Sequence, residues 1–105
     1  MSALVVLCTC PSREVGTQLA ETLVTEKLAA CVNIIPKIQS VYMWEGAVCQ
    51  EEEVLLVIKT TENREPALRA RLVTMHPYEC PEVIGLPIQR GHGPYLQWIE
   101  AETQS

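Results

Sequence analysis

Short apolar runs alternate along the chain with stretches in which apolar residues recur every third or fourth position. Residues 3 to 9, ALVVLCT, are apolar at nearly every position, rich in β-branched side chains, and closely followed by Pro11. Such a run predicts a buried strand, because a strand covered on both faces has no solvent side on which to alternate. Ser12 then offers an N-cap hydroxyl. After it Val15, Leu19 and Leu23 recur at helical spacing, with Ala20 and Val24 widening the stripe and Glu21 and Lys27 outside it. Gly16 inside this helix costs about 1 kcal/mol against alanine and points to close packing or a late helix start.

The next stretch reads as two strand-like arms, Cys31 to Glu45 and Val48 to Thr60, around Glu45-Gly46, where glycine supplies the turn chemistry of a hairpin. Pro36 has no N–H to give to a ladder and predicts a bulge or an edge position. From Asn63, a candidate cap, Leu68, Leu72 and Met75 predict a second helix. Its first turn tolerates Pro66, and Pro77 stops it after His76. EVIGLPI, Glu82 to Ile88, predicts another short strand, and GPYLQWIEAE a closing helix with Tyr95, Leu96, Trp98 and Ile99 for packing. Strand, helix, strand, strand, helix, strand is the order of an α+β, ferredoxin-like βαββαβ sandwich, here with a long central hairpin and a C-terminal helix. Right-handed crossovers lead us to expect the first and third strands side by side and parallel, with both main helices on one face.

Two features do not fit a lone copy of that fold. A hairpin arm such as Cys31 to Glu45 extends to about 50 Å at about 3.3 Å per residue, whereas a compact chain of this size is only about 35 Å across, from a radius of gyration near 13 Å. VLLVIK, Val54 to Lys59, and LVVLC, Leu4 to Cys8, are apolar at consecutive positions, so both sheet faces call for cover that two helices on one face cannot give. A homo-oligomer is expected, its hairpins pairing with neighbouring sheets.

Composition narrows the function. The chain has 105 residues, enough for one domain spanning 1–105, with 48% hydrophobic and 20% charged residues, no Phe and a net charge of −5. No cluster of Lys or Arg offers the footprint that a phosphate backbone needs, so nucleic acid is not an expected partner. The apolar start is short, lacks a preceding basic residue and meets Pro11, so neither a signal peptide nor a membrane span is expected and a cytoplasmic location is. Five cysteines without an export signal read as reduced thiols, and no pair is spaced CxxC as in a structural zinc site. Glycines make no phosphate cradle, and no nucleophile stands with its base, so the expectation is a protein that is not an enzyme.

Some residues carry candidate chemistry. Cys8 and Cys10 stand two apart on a strand, so both project from one face, where two thiolates can hold a soft ion such as Cu(I). The competing reading is that free cysteine fills space, and it is the one adopted for Cys10, Cys31, Cys49 and Cys80. His76 ends a helix, where the last carbonyls favour imidazolium even without a ligand. Neutral imidazole is also the commonest protein ligand for copper and zinc. Tyr42, Trp44 and Tyr78, with Lys59, Glu53 and Glu79, can line a ligand cleft between subunits, against the reading that such aromatics simply anchor an interface. Glu51, Glu52 and Glu53 alternate across a strand and so do not make one carboxylate cage. Tyr78 and Glu79 with His76 would be the proton-transfer groups if there were a reaction.

Several co-linear blocks give a resemblance. EKLAACVNIIP, YMWEG, EEEVLLVIKTT, HPYECPEV and YLQWI, spread over nearly the whole chain, resemble the CutA divalent-cation tolerance family. The resemblance implies a small cytoplasmic trimer of ferredoxin-like subunits linked to copper tolerance in bacteria and able to bind Cu(II) or another divalent cation; animal relatives are linked instead to acetylcholinesterase. It carries a copper role onto Cys8, in LCT, and onto His76, before PY; Met75 stands where some relatives have a second histidine. The alternative is a trimeric small-molecule sensor similar to PII-type signalling proteins, with its ligand near Tyr42, Trp44 and Lys59. With parallel first and third strands, the second helix would start beside Cys8 and carry His76 about 20 Å away at about 1.5 Å per residue. One chain is then not expected to chelate with both residues. A shared ion would need two subunits, or the two residues would mark separate weak sites.

Overall fold

The computed structural model describes residues 2–104. Its elements are β1 (Ala3–Cys10), α1 (Arg13–Thr25), β2 (Cys31–Trp44), β3 (Ala47–Thr61), α2 (Glu65–Met75), β4 (Ile84–Pro87) and α3 (Gly93–Glu102). The sheet runs β2-β3-β1-β4 with every neighbouring pair antiparallel, the ferredoxin-like arrangement. The expected parallel pairing of β1 and β3 is corrected here. A crossover from β1 through α1 leaves room for one strand before β2, and the tight hairpin reverses β3 into that gap, antiparallel to both.

Local chemistry explains the boundaries. The Ser12 hydroxyl accepts the Val15 N–H at 3.2 Å and opens α1. Glu45 and Gly46 both have positive φ, 49° and 81°, the two-residue turn whose twist matches its strands. Register shifts between Ile35 and Ile38, across Pro36 and the left-handed Lys37, as a proline without a donor requires. Arg64, not Asn63, occupies the N-cap of α2, with proline in the first turn. β4 is shorter than Glu82 to Ile88 and pairs only Ile84–Pro87, against Leu7 to Leu4 of β1.

Alternation along the strands builds the core. Val6, Cys8 and Cys10 of β1 and Val54, Leu56 and Ile58 of β3 turn to the same face, where Leu19 and Leu23 of α1 and Leu68 and Leu72 of α2 close over them. A smaller cluster forms where Ile99 of α3 meets Ala3 and Ala30. Tyr95 and Trp98, expected to pack, instead lie on the outer side of α3, each 41% exposed and stacked on one another. The molecule measures 44 × 25 × 21 Å, its long axis drawn out by the hairpin.

Gly16 lets α1 come close to the sheet: a Cβ there would lie 3.2 Å from Val54 Cγ2 and 3.3 Å from Leu56 Cδ2. Both neighbours are buried, so a branched side chain has no place to go. Gly16→Val is expected to cost about 1–3 kcal/mol by overpacking, read as a lower denaturation midpoint. An unchanged midpoint would show that α1 does not sit this close.

Candidate metal centre

Because β3 is antiparallel to β1, it ends at Thr61 opposite Ala3, the beginning of β1. The helix that follows runs back along β1: its 11 residues cover about 16 Å at about 1.5 Å each and deliver the chain near the far end of β1. His76, the C-cap, is extended before Pro77 with ψ 139°, and its ring turns in against the strand. β4 pairs with β1 no further than Leu7, so the edge of β1 from Cys8 to Cys10 has no strand on that side. His76 takes that place. Its Nδ1 accepts the Tyr78 N–H at 3.1 Å, so Nε2 carries the proton and donates to the Thr9 carbonyl at 2.8 Å. Tyr78 packs against the imidazole with ring centroids 4.7 Å apart.

Among the described residues, Cys8, Cys10 and His76 form the one group of three metal-type donors within ligand reach, with one donor atom from each and all within 4.8 Å of one another. All three are buried, the two cysteines completely. The expectation that one chain cannot bring Cys8 and His76 together therefore fails, for the same reason that the parallel pairing fails. Cys10, read as a packing residue, joins them. The hydrogen bond with Cys10, then burial and the charges of Cys10, Glu82 and Glu53, raise the pKa of Cys8 far above the ordinary thiol range. The same interaction lowers Cys10, against the opposing effect of burial.

On the other side of Thr9 lies a cleft of about 600 Å³. Tyr42 and Trp44 from the hairpin and Tyr78 and Glu79 from the segment after α2 all line it within one chain. Lys59 of the same chain does not line it. It pairs with Cys31 and Val5, hydrogen bonds to Asn33, and stands twelve strand positions, about 40 Å at about 3.3 Å each, from the Ala47 that faces Trp44. Glu51 and Glu53 share the cleft with Glu79 and Glu82, while Glu52 does not line it. The period of a strand that argued against a three-glutamate cage thus leaves two glutamates together. Cys80 is exposed at the rim and does not pack in the core.

Glu53 is 6% exposed, and the Tyr78 hydroxyl donates to its Oε2 at 2.6 Å. Tyr42 makes the matching bond to Glu51. Burial first, and then the bond to Glu53, raise Tyr78 well above its ordinary value of 10.0, and the Glu51 bond pushes Tyr42 up to about 12. An acid whose pKa is raised by folding keeps its proton longer in the folded state, so stability contributed by Tyr78 is complete below about pH 10 and falls as pH rises beyond it. Tyr78→Phe should cost about 1–3 kcal/mol at neutral pH by leaving Glu53 short of a donor, and should flatten the decline above pH 10. Denaturation midpoints of both proteins between pH 7 and pH 11 check this; parallel curves would show that Tyr78 is not held by Glu53.

The comparisons with known proteins agree with this architecture. The family model described as CutA1 divalent ion tolerance protein matches residues 4–102. The divalent-cation tolerance protein CutA of Thermus thermophilus is 48% identical over 99 residues, covering 94% of this chain and 96% of that protein. Human Protein CutA is 46% identical over 97 residues, covering 92% of this chain and 54% of its own length. Among solved structures, CutA1 of Oryza sativa superposes with a TM-score of 0.96 at 47% identity, covering 99% of this chain and 95% of that one. The Thermus thermophilus structure superposes with a TM-score of 0.94, covering 97% and 99%. With a matching family model over nearly its full length and relatives close to half identical, the chain belongs to the CutA1 divalent ion tolerance family.

Proposed function

We propose that the protein binds copper, as Cu(II) or alongside other divalent cations, without catalysing a reaction, and that it contributes to divalent-cation tolerance as a cytoplasmic homotrimer. The observation that carries this reading is the buried group of Cys8, Cys10 and His76, with donor atoms within 4.8 Å of one another. Two sulfurs and an imidazole nitrogen are donors that copper and zinc take; magnesium and calcium require oxygen. Tyr78, the candidate proton-transfer group, is a hydrogen-bond donor to Glu53 with a raised pKa, the opposite of a poised base. That supports a role that is not catalytic.

Assembly is supported by what a single chain leaves uncovered. Val41, Met43 and Val48 on the hairpin are more than 60% exposed, Ile84 and Leu86 on β4 are half exposed, and β2 and β4 are open sheet edges. Five thiols with no disulfide among them suit a reducing compartment. The CutA structure from Archaeoglobus fulgidus is described as periplasmic, so fractionation of cells is the direct test of location. Neither nucleic acid nor membrane is a partner in this reading: net charge is −5, and no described helix is long and apolar enough to cross a membrane.

The cleft favours a second reading, a small-molecule sensor, but one for a cationic ligand. It gathers Glu51, Glu53, Glu79 and Glu82 beside three aromatic rings and lacks the Lys59 that a nucleotide phosphate would need. A thermal shift with amines but not with copper would favour this second reading.

Isothermal titration tests the first. Cu(II) affinity should fall in both Cys8→Ser and His76→Ala, and unchanged affinity in both would remove these residues from the site. Sedimentation should give three chain masses at micromolar concentration; a folded monomer there would end the trimer reading.

A further inference from the structure

We propose that the cleft beside Thr9 binds a linear aliphatic polyamine, with one ammonium seated on the buried carboxylate of Glu53 and the rest of the ligand laid along the outer carboxylates. This deepens, and rests on, the reading of the cleft as a site for a cationic ligand, and it names a ligand of several charges. Glu53 lines the cleft and is 6% exposed. Its Oε2 accepts from the Tyr78 hydroxyl at 2.6 Å, but a neutral phenol does not balance a charge. Buried charges are ordinarily paired, because taking a lone carboxylate out of water is costly. No cation of the chain meets this one. Among the described residues the ion pairs are Arg69 with Glu65 and Arg71 with Glu26, and no Lys, Arg or His lines the cleft.

The placement of the other carboxylates decides the kind of cation. Glu51 stands two positions from Glu53 on the same face of β3, about 7 Å away at about 3.3 Å per residue, and Glu79 and Glu82 come from the segment after α2. Glu51, Glu79 and Glu82 are exposed, so the cleft holds one buried negative charge with the others at its rim. They do not converge on one point. Among the described residues the one group of three or more donors close enough to share an ion is Cys8, Cys10 and His76, and it contains no glutamate. Calcium and magnesium gather about six or more oxygens around a single centre. Charges spread along a cleft instead suit a flexible chain whose own charges are spaced by methylenes. Tyr42, Trp44 and Tyr78 suit the same ligand, since aromatic rings cover methylene groups and attract ammonium to their faces. A cavity of about 600 Å³ has room for it.

The test is calorimetric titration of the full-length protein with n-butylamine, putrescine and spermidine at constant ionic strength. A hydrogen bond to a charged group is worth about tenfold in affinity or more, so affinity should rise at least about tenfold from butylamine to putrescine and again to spermidine. Magnesium chloride alone should give no saturable binding. Glu53→Gln keeps an acceptor for Tyr78 and removes only the charge, and it should weaken spermidine at least about tenfold. Trp44→Ala should cost about two- to thirtyfold. Glu52→Gln, one residue away but outside the cleft, loses the same charge and should match the parent. The ligand series needs no variant and decides the matter if Glu53→Gln fails to fold. Equal losses in Glu52→Gln and Glu53→Gln would reveal diffuse attraction to an acidic chain and overturn the proposal, as would saturable magnesium binding that displaces spermidine. Butylamine bound as tightly as spermidine would overturn the polyamine assignment and leave the cationic-ligand reading standing. Binding of none of the three amines, the result expected if a basic side chain of a second copy fills the cleft, would remove both.

Discussion

The position of β3, reversed by its hairpin and inserted between β1 and β2, is the constraint on which the rest of the molecule depends. It places the start of α2 at the beginning of β1, so the helix must run back toward Cys10. Eleven helical residues and a proline stop then fix where His76 arrives. The imidazole meets a carbonyl that no strand has claimed, and the bond to Thr9 fastens the end of one βαβ unit to the first strand of the other. Thr9 is half-buried, so pairing its carbonyl with the ring spares part of the cost of an unmet acceptor, and the closure is favoured by the strand edge as well as by the ring.

Thr9 is the hinge between two environments. On its inner side the alternation of β1 places two thiols in an apolar core; on its outer side the cleft gathers carboxylates and phenols from the hairpin and the segment after α2. The two are coupled by charge, since Glu53 acts on both cysteines and Glu82 on Cys8. Tyr78 belongs to both, with its ring against His76 and its hydroxyl on Glu53. A cation drawn to the cleft is thus one hydrogen-bonded layer away from the sulfurs.

The sequence was legible wherever a signal was local. Ser12 as a cap, Gly16 as a close approach, Glu45-Gly46 as the turn and Pro36 as a bulge each follow from backbone chemistry at one position, and the structure has them. The element order was legible too, from the switch between strand and helix periods. Relative direction was not, because apolar periodicity is the same in a parallel and an antiparallel neighbour. That one ambiguity put His76 at the wrong end of Cys8 and left Cys10 with nothing to bind beside. Lys59 stands far along β3 from the cleft of its own chain, and a basic residue on a strand says nothing by itself of that distance. Glu51 and Glu53 were within reach, since period two places them on one face, and only the cleft opposite them lay beyond sequence.

Nitrogen-15 NMR of the His76 imidazole in the metal-free protein measures the closure most directly. The structure predicts the Nε2–H tautomer, an Nδ1 without a proton, and a slowly exchanging Nε2 hydrogen with coupling across the bond to the Thr9 carbonyl. A ring protonated at Nδ1, or one whose hydrogens exchange freely with water, would contradict it, because α2 would then not end against β1 and the cluster would not be assembled within one chain.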